Sequence, residues 1–551
     1  MAAQKIDQLL TSLYSTRAAE VAKQLDALIH QTRAKLPPQS DSKLSECDAL
    51  LITYADQLRE PGRAPLATLA EFAKEKLSGV VSGVHLLPFY PWSSDDGFSV
   101  KDFFAVDPAF GEWSDIERFR PEFALMFDAV FNHMSAQSDW FQKFVADAPE
   151  FRDFFVTVSG NPDLSQVVRP RALPLLTEFQ TARGLEKVWT TFSADQVDLN
   201  FKNPAVLLAT TRALLFYVEH GAKFIRLDAI AYLWKEIGTP CIHLPQTHQV
   251  IQLMRAVLDE VAPDVRLITE TNVPHPDNIS YFGAGTNEAQ LVYNFALPPL
   301  VLHSIATGNA EKLTRWAASL ELPSERTTFF NFLSSHDGIG MNPARGILDQ
   351  TEIDALVKRA TDHGGFVSYK HNSDGSKSPY ELNITYFDAL SNPAAHEPEA
   401  IQINRFLAAH AIMFALAGVP GIYFHSLFGS RNDRPGAEAS GIPRRINRQK
   451  LGRADLEAEL SRPHSLRARV FAGMSELLRR RRSSPAFAPS AQQRLLNIDP
   501  RVFALVRETN GERMLCLHNV SNETIPLANH PEWKQATPLA PYEVRWEALP
   551  A

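Results

Sequence analysis

Three short apolar stretches of this chain run into carboxylic acids. They read Phe224-Ile225-Arg226-Leu227-Asp228, Arg266-Leu267-Ile268-Thr269-Glu270 and Phe332-Leu333-Ser334-Ser335-His336-Asp337. An apolar run that stops at an acid is how a parallel strand, buried on both faces, delivers a functional side chain to its C-terminal end. In a parallel α/β barrel that end carries the active site. Three acids delivered this way suit glycosyl transfer or hydrolysis, in which one carboxylate attacks and another passes a proton. Arg226 and Asp228 are two residues apart, so both side chains leave the same face of an extended strand. A guanidinium beside a carboxylate keeps it ionised, as a nucleophile requires. Taken alone, the pair would serve equally well as a buried structural contact.

The elements that must position these acids alternate between short buried strands and helices. Strands are expected from Leu50, Val84, Leu125, Phe224, Leu267, Leu291, Thr328 and Gly421, the first of them running to Asp56. Asn203-Pro204 opens a helix with Asn as N-cap and Pro at N1, and Gly221 stands where a C′ glycine belongs. Strand–helix–strand alternation implies a parallel sheet, and eight strands close a (β/α)8 TIM barrel. The expected layout is an N-terminal helical extension over 1–49, a catalytic barrel over 50–482 and a small C-terminal β domain over 483–551. Residues 134–188 after the third strand and 338–400 after the seventh are too long for plain connections and should form subdomains over the site. The extension reads as one amphipathic helix with a polar tail, Pro37-Pro38-Gln39-Ser40. In the β domain, Val502–Val506 and Met514–His518 are joined through Asn510-Gly511.

The chain has 551 residues, 45% of them hydrophobic, enough for a large core with smaller domains beside it. Its 55 basic residues face 63 acidic ones, so no broad basic field exists to hold nucleic acid. The run Arg479–Arg482 closes a helix-like stretch and is expected to offset its dipole. Cys47, Cys241 and Cys516 lie far apart, against a disulfide framework or a zinc site. The first residues carry no apolar leader and no window approaches a membrane span. These features predict a cytoplasmic protein, monomer or homodimer, with no membrane partner and no metal or other cofactor.

The strand ends resemble those of glycoside hydrolase family 13, the α-amylase group. The motifs are Asp128-Ala-Val-Phe-Asn132-His133, Phe224-Ile-Arg226-Leu-Asp228, Ile268-Thr-Glu270 and Ser335-His336-Asp337, in that order. Further motifs resemble the sucrose phosphorylase branch, among them Gly83-Val-His-Leu-Leu-Pro-Phe89, Asp95-Asp96-Gly97-Phe98, Arg169-Pro-Arg171, Gln196-Val-Asp-Leu-Asn200, Phe295-Ala-Leu-Pro-Pro-Leu300 and Ile446-Asn-Arg448. That branch implies exchange of an α-glucosyl group with phosphate. Tyr380-Glu381 stands where sucrose phosphorylases tend to have Tyr-Gln, and Arg431 where they usually have Lys. In both, and in its longer N-terminus, the chain looks more like the glucosylglycerate phosphorylases.

The resemblance implies Asp228 as nucleophile, Glu270 as general acid/base and Asp337 as a ligand of sugar hydroxyls. It also implies Asp95 and Arg448 on the far hydroxyls of glucose, with Gln196 and Arg226 in the same site. His133 and His336 read as hydroxyl donors, although either alone is more often a satisfied core residue. Phe192 and Tyr232 would supply an apolar wall. Phosphate is a dianion and needs fixed cations. Arg171, Arg431 and Arg445 are the candidates, beside Tyr380 and Glu381 at the acceptor. For each of Arg431, Arg434, Arg444 and Arg445 a solvated loop is an equal reading. The favoured function is phosphorolysis of 2-O-α-glucosylglycerate. The alternatives are a sucrose or sucrose 6′-phosphate phosphorylase, an α-glucosidase, or an inactive binding subunit, and the last predicts a lost acid where none is lost.

Overall fold

A computed structural model of the protein describes residues 2–37, 43–171, 173–371, 376–509, 511–528, 530–532 and 537–550. At its centre eight parallel strands close on themselves. They are β1 (Leu50–Thr53), β2 (Gly83–Leu86), β3 (Ala124–Ala129), β4 (Ala222–Leu227), β5 (Arg266–Thr269), β6 (Leu291–Tyr293), β7 (Thr328–Phe332) and β8 (Val419–Tyr423). Each pairs with its sequence neighbours and β8 pairs with β1, so the sheet has no edge. Every residue of β1, β2, β6, β7 and β8 is buried, which is why these segments read as continuous apolar runs. All eight expected strands are present. β1 stops at Thr53 rather than Asp56, and β7 stops at Phe332, so Asp337 is delivered by a turn beyond its strand.

Local chemistry explains the helix that feeds β4. The Asn203 side chain accepts the Ala205 N–H at 3.1 Å, Pro204 occupies the first turn, and the helix Pro204–Glu219 ends before Gly221 at φ +90°. Leu207, Leu214, Leu215 and Val218 are all buried. The N-terminal extension departs from expectation: it is two helices, Ala2–Tyr14 and Ala18–Lys35, broken at Ser15 with φ +48°. The break lets both halves lie on the outer barrel helices Pro204–Glu219 and Pro245–Val261, burying Ile6, Leu10, Val21, Leu25 and Ile29. Of its expected tail, Pro38, Gln39 and Ser40 lie outside the described residues.

Two excursions rise from the C-terminal end of the barrel. The first begins where His133–Ser135 pairs antiparallel with Gln196–Asp198, so it closes at Asp198 rather than near 188. Between these strands lie the helix Asp139–Val145 and a three-stranded sheet containing Leu176–Thr181 and Gly184–Trp189. The second leaves β7 and forms a sheet of Ile339–Gly340, Phe366–His371 and Lys377–Asn383, flanked by the helices Gln350–Asp362 and Tyr386–Leu390.

The C-terminal sheet has four antiparallel strands, Gln492–Leu496, Val502–Thr509, Glu512–Asn519 and Val544–Leu549. Of its expected turn, Asn510 lies outside the described residues and Gly511 has φ +82°. The arginine run does more than offset a dipole. Arg480 donates to the Trp546 carbonyl at 2.6 Å. Arg481 is buried and donates to the carbonyls of Glu46, Asp48, Gly418 and Phe487. It thus ties the segment before β1 and the start of β8 to the turn that leads into the C-terminal sheet. Buried carbonyls that lose their donor cost about 1–3 kcal/mol each. Arg481→Met should therefore destabilise the protein by on the order of 3 kcal/mol, whereas Arg482→Met, at an exposed neighbour, should leave the midpoint in place. Calorimetric melts of the two variants check this.

Candidate active site

The floor of the site is built by strand register. Leu227 pairs with Thr269 across β4 and β5, so Asp228 and Glu270, one residue further on, leave adjacent strand ends side by side. The ladder continues past the strands, with Glu270 N–H donating to the Leu227 carbonyl at 3.2 Å and Asp228 N–H to the Ala129 carbonyl at 3.2 Å. Arg226 lies beneath them, 2% exposed. Its Nη1 contacts Asp228 Oδ1 at 2.7 Å and also Asp128, while its Nη2 is 3.8 Å from Glu270 Oε2. The Phe98 and Tyr293 rings flank its guanidinium at 5.7 and 5.5 Å. Burial pushes both the Asp228 and Glu270 carboxyls up, and Arg226 opposes this in each. Its contact with Asp228 is direct and its approach to Glu270 is not. Of two neighbouring acids that cannot both ionise freely, this direct contact favours the charge on Asp228 and the proton on Glu270. Glu270 Oε2 accepts the Ala229 N–H at 3.1 Å, an oxygen positioned by the left-handed Ala229 turn at φ +46°.

Asp337 completes the acid group. Its Oδ1 lies 2.6 Å from Arg444 Nη1 and 3.6 Å from Arg448 Nη2, and His336 Nε2 is 3.6 Å from Oδ2. Against the cost of burial, Arg444, with Arg448 and Arg226 behind it, holds Asp337 well below the usual carboxylate range. Burial pushes His336 down to about 3, so it is neutral, and it stacks flat on Phe98 with centroids 4.8 Å apart. On the opposite side of the sequence, Asp95 accepts Arg171 Nη2 at 2.8 Å and Gln196 Nε2 at 3.3 Å. Arg171 lies over the Phe192 ring, which meets Tyr232 edge-on at 5.5 Å. His133 Nε2 is held by the Phe98 carbonyl at 2.9 Å.

These groups line one pocket, which joins the three acids to Asp95, His133, Phe192, Gln196, Tyr232, His336, Arg171, Tyr380 and Glu381. A nucleophile, a proton donor and fixed cations in one apolar-walled pocket can carry out a double displacement at an acetal carbon. Residues 78–339 match the family described as alpha amylase, catalytic domain. The chain is 55% identical over 519 residues to the glucosylglycerate phosphorylase of Allomeiothermus silvanus, a match covering 94% of this chain and 93% of that one. It is 47% identical over 521 residues to the glucosylglycerate phosphorylase of Escherichia coli, covering 94% and 93%.

The chain belongs to the α-amylase family.

The crystal structure of sucrose 6F-phosphate phosphorylase from Thermoanaerobacter thermosaccharolyticum shares its fold, with a TM-score of 0.76 at 24% identity over 92% of this chain and 99% of that one.

Within this α-amylase fold, four expected site residues do not line the pocket. Arg226 and Arg448 stand behind it. Arg448 donates to Asp96 at 2.7 Å and to the His336 carbonyl at 2.8 Å. Arg431 is drawn away over the Phe387 ring, held by Asp388 of the second excursion at 2.8 Å and by Gln402 of the helix that follows it at 2.7 Å. Arg445 turns to Asp96 at 2.6 Å. Of the arginines on the loop after β8, Arg444 lines the pocket. Residues 443–447 form a 3-10 turn, in which successive side chains diverge by about 120°, so only one of the two neighbours can face the site. Arg444 donates from Nε and Nη2 to Glu381 at 3.0 and 2.6 Å. Glu381, expected at the acceptor, takes this arginine in a bidentate pair. Phe98, Asn272 and Phe295 also line the pocket. Phe98 and Phe295 sit inside family-like motifs, a signal that was legible, whereas Asn272 carried none.

Burial pushes Glu381 up even with Arg444 bound, so the pair is held against a large desolvation cost. Arg444→Ala would leave Glu381 without its counterion and Asp337 with only the more distant Arg448, at a cost on the order of 3 kcal/mol near pH 8. In that variant burial keeps the folded-state pKa of Glu381 above its unfolded value, so stability is lost as pH rises and recovered as pH falls. Thermal melts of the variant and wild type at pH 5.5 and 8 should show the gap widening with pH.

Proposed function

We propose that this protein is a retaining glycoside phosphorylase that transfers a glucosyl group between 2-O-α-glucosylglycerate and phosphate, giving α-glucose 1-phosphate. In this reading Asp228, kept ionised by Arg226, attacks the anomeric carbon. Glu270 gives its proton to the departing glycerate oxygen, and the ester on Asp228 carries the glucosyl group. Phosphate then attacks the same carbon from the vacated face and returns a proton to Glu270. Two inversions give net retention. Asp337, Asp95, His133, His336 and Gln196 hold the sugar hydroxyls, and Phe98, Phe192, Tyr232 and Phe295 supply an apolar wall.

The observation that carries the reading is the placement of cations. Among the described residues, two arginines line the pocket, Arg171 and Arg444. Arg444 gives Nε and Nη2 to Glu381 and sets Nη1 2.6 Å from Asp337 Oδ1 in an ion pair, so its guanidinium is already fixed in orientation while N–H groups remain for a ligand. A fork held in this way suits the carboxylate of a small hydroxy acid. Arg171 commits Nη2 to Asp95 and offers its other nitrogens to phosphate. The two glucosylglycerate phosphorylases of high identity support the same choice.

Two outcomes follow. With α-glucose 1-phosphate as donor, release of phosphate should be faster with glycerate than with glycerol. Arg444→Lys keeps the charge but removes the fork, and should erase most of that preference. Normal sucrose phosphorolysis with no glycerate activity would replace this reading with a sucrose phosphorylase. In wild type, phosphorolysis should outpace hydrolysis. Arg171→Ala should weaken phosphate use by about 1.5–3 kcal/mol while sparing hydrolysis of the donor, since one charge-assisted bond is lost. Equal wild-type rates with and without phosphate would point to a glucosidase.

A further inference from the structure

Behind the nucleophile lies a row of charged groups that starts outside the pocket. His85 is on β2, Asp128 on β3 and Arg226 on β4, and all three are buried. His85 Nε2 lies 2.6 Å from Asp128 Oδ2. The other oxygen of Asp128 takes Arg226 Nη1, the same nitrogen that contacts Asp228 at 2.7 Å. One guanidinium nitrogen is thus shared between two carboxylates, and the hold that Asp128 has on it depends on what Asp128 receives from its far side. His85 Nδ1 has no partner among the described residues. A protonated imidazole would bury a bare N–H there, so the ring is the neutral tautomer with its hydrogen on Nε2, donating to Asp128. Burial, opposed by Asp128, keeps the His85 pKa below its ordinary value, in line with that form.

We propose that His85 is a positioning residue: by donating to Asp128 it limits the pull of that carboxylate on Arg226 and so leaves the guanidinium to Asp228. The inference rests on Asp228 being the nucleophile. The other groups that face this row are Glu270 from β5, Tyr293 from β6, His336 and Asp337 beyond β7, and Tyr90, whose hydroxyl donates to the Asp128 carbonyl at 3.0 Å. None of them donates to Asp128 Oδ2 in place of His85.

Side-chain length provides the test. Glutamine carries its amide nitrogen as many bonds from Cβ as the Nε2 of histidine, and asparagine falls one bond short. Full-length His85→Leu, His85→Asn and His85→Gln are compared for phosphate release from α-glucose 1-phosphate with glycerate, with kcat/KM measured across pH. Without the donor, Asp128 stays ionised against Arg226 and draws it from Asp228. The acidic limb of kcat/KM, which reports ionisation of the nucleophile in the free enzyme, should then move to higher pH in the leucine and asparagine variants. Their kcat should fall roughly tenfold, the scale on which partners of reacting groups act, with KM little changed. Glutamine should restore both the limb and the rate. If the leucine variant does not fold, the asparagine variant carries the same comparison. An unmoved acidic limb in the variants lacking the donor, or a glutamine variant as impaired as leucine, would overturn the proposal and reduce His85 to core packing. Failure of the underlying reaction shows separately, as wild-type enzyme that forms no glucosyl ester on Asp228, and it would overturn the inference as well.

Discussion

The site depends on one buried cation. Arg226 enters the barrel floor between Asp128 and Asp228, with aromatic rings on both sides of its guanidinium. A lone charge in so dry a place would be prohibitive, and a lone carboxylate at Asp228 would take up a proton. Together each offsets part of the other's cost of burial. The closed sheet makes this possible, because register alone places Arg226 opposite Asp128 and Asp228 beside Glu270. A slip of one residue in β4 would turn Arg226 and Asp228 to the helix layer and leave the floor without a nucleophile.

The same economy governs the walls. Arg171 is paired with Asp95, Arg444 with Asp337 and Glu381, and Arg448 and Arg445 with Asp96. Each of these cations is held by an acid, so its geometry is set before any ligand arrives. Preorganised charges of this kind stabilise a developing charge without reorganising at the moment of reaction. Asp95 and Asp96 both adopt left-handed backbone, at φ +55° and +48°, and Gly97 follows at φ +110° with the Pro88 carbonyl 2.7 Å from where a Cβ would stand. This strained turn sends Asp95 to one side and Asp96 to the other, each towards a different arginine.

The periphery serves the centre. The two excursions bring Arg171, Phe192, Gln196, Tyr380 and Glu381 over the barrel mouth from segments that share no strand with the acids. The buried arginines Arg481 and Arg507, bound to backbone carbonyls rather than to acids, fasten the C-terminal sheet to the barrel. Burial lowers both, to about 10 and about 9, and they remain charged at neutral pH.

The sequence by itself determined the barrel, the order of its strands and the acids on its floor. The reason is local. A strand buried on both faces must be apolar throughout, and a charge directly after it can only be at the strand end, so Asp228 and Glu270 could be placed from spacing alone. The capped helix before β4 was legible for the same reason, through Asn203, Pro204 and Gly221. Only the tertiary structure decided which loop arginine faces the pocket. Arg431, Arg444 and Arg445 are chemically alike, and their directions are set by a 3-10 turn and by acids that lie 43, 63 and 349 residues away in the chain. Which arginine pairs with Glu381, and the break at Ser15, were decided likewise, since each follows from packing between segments that the chain brings together only on folding.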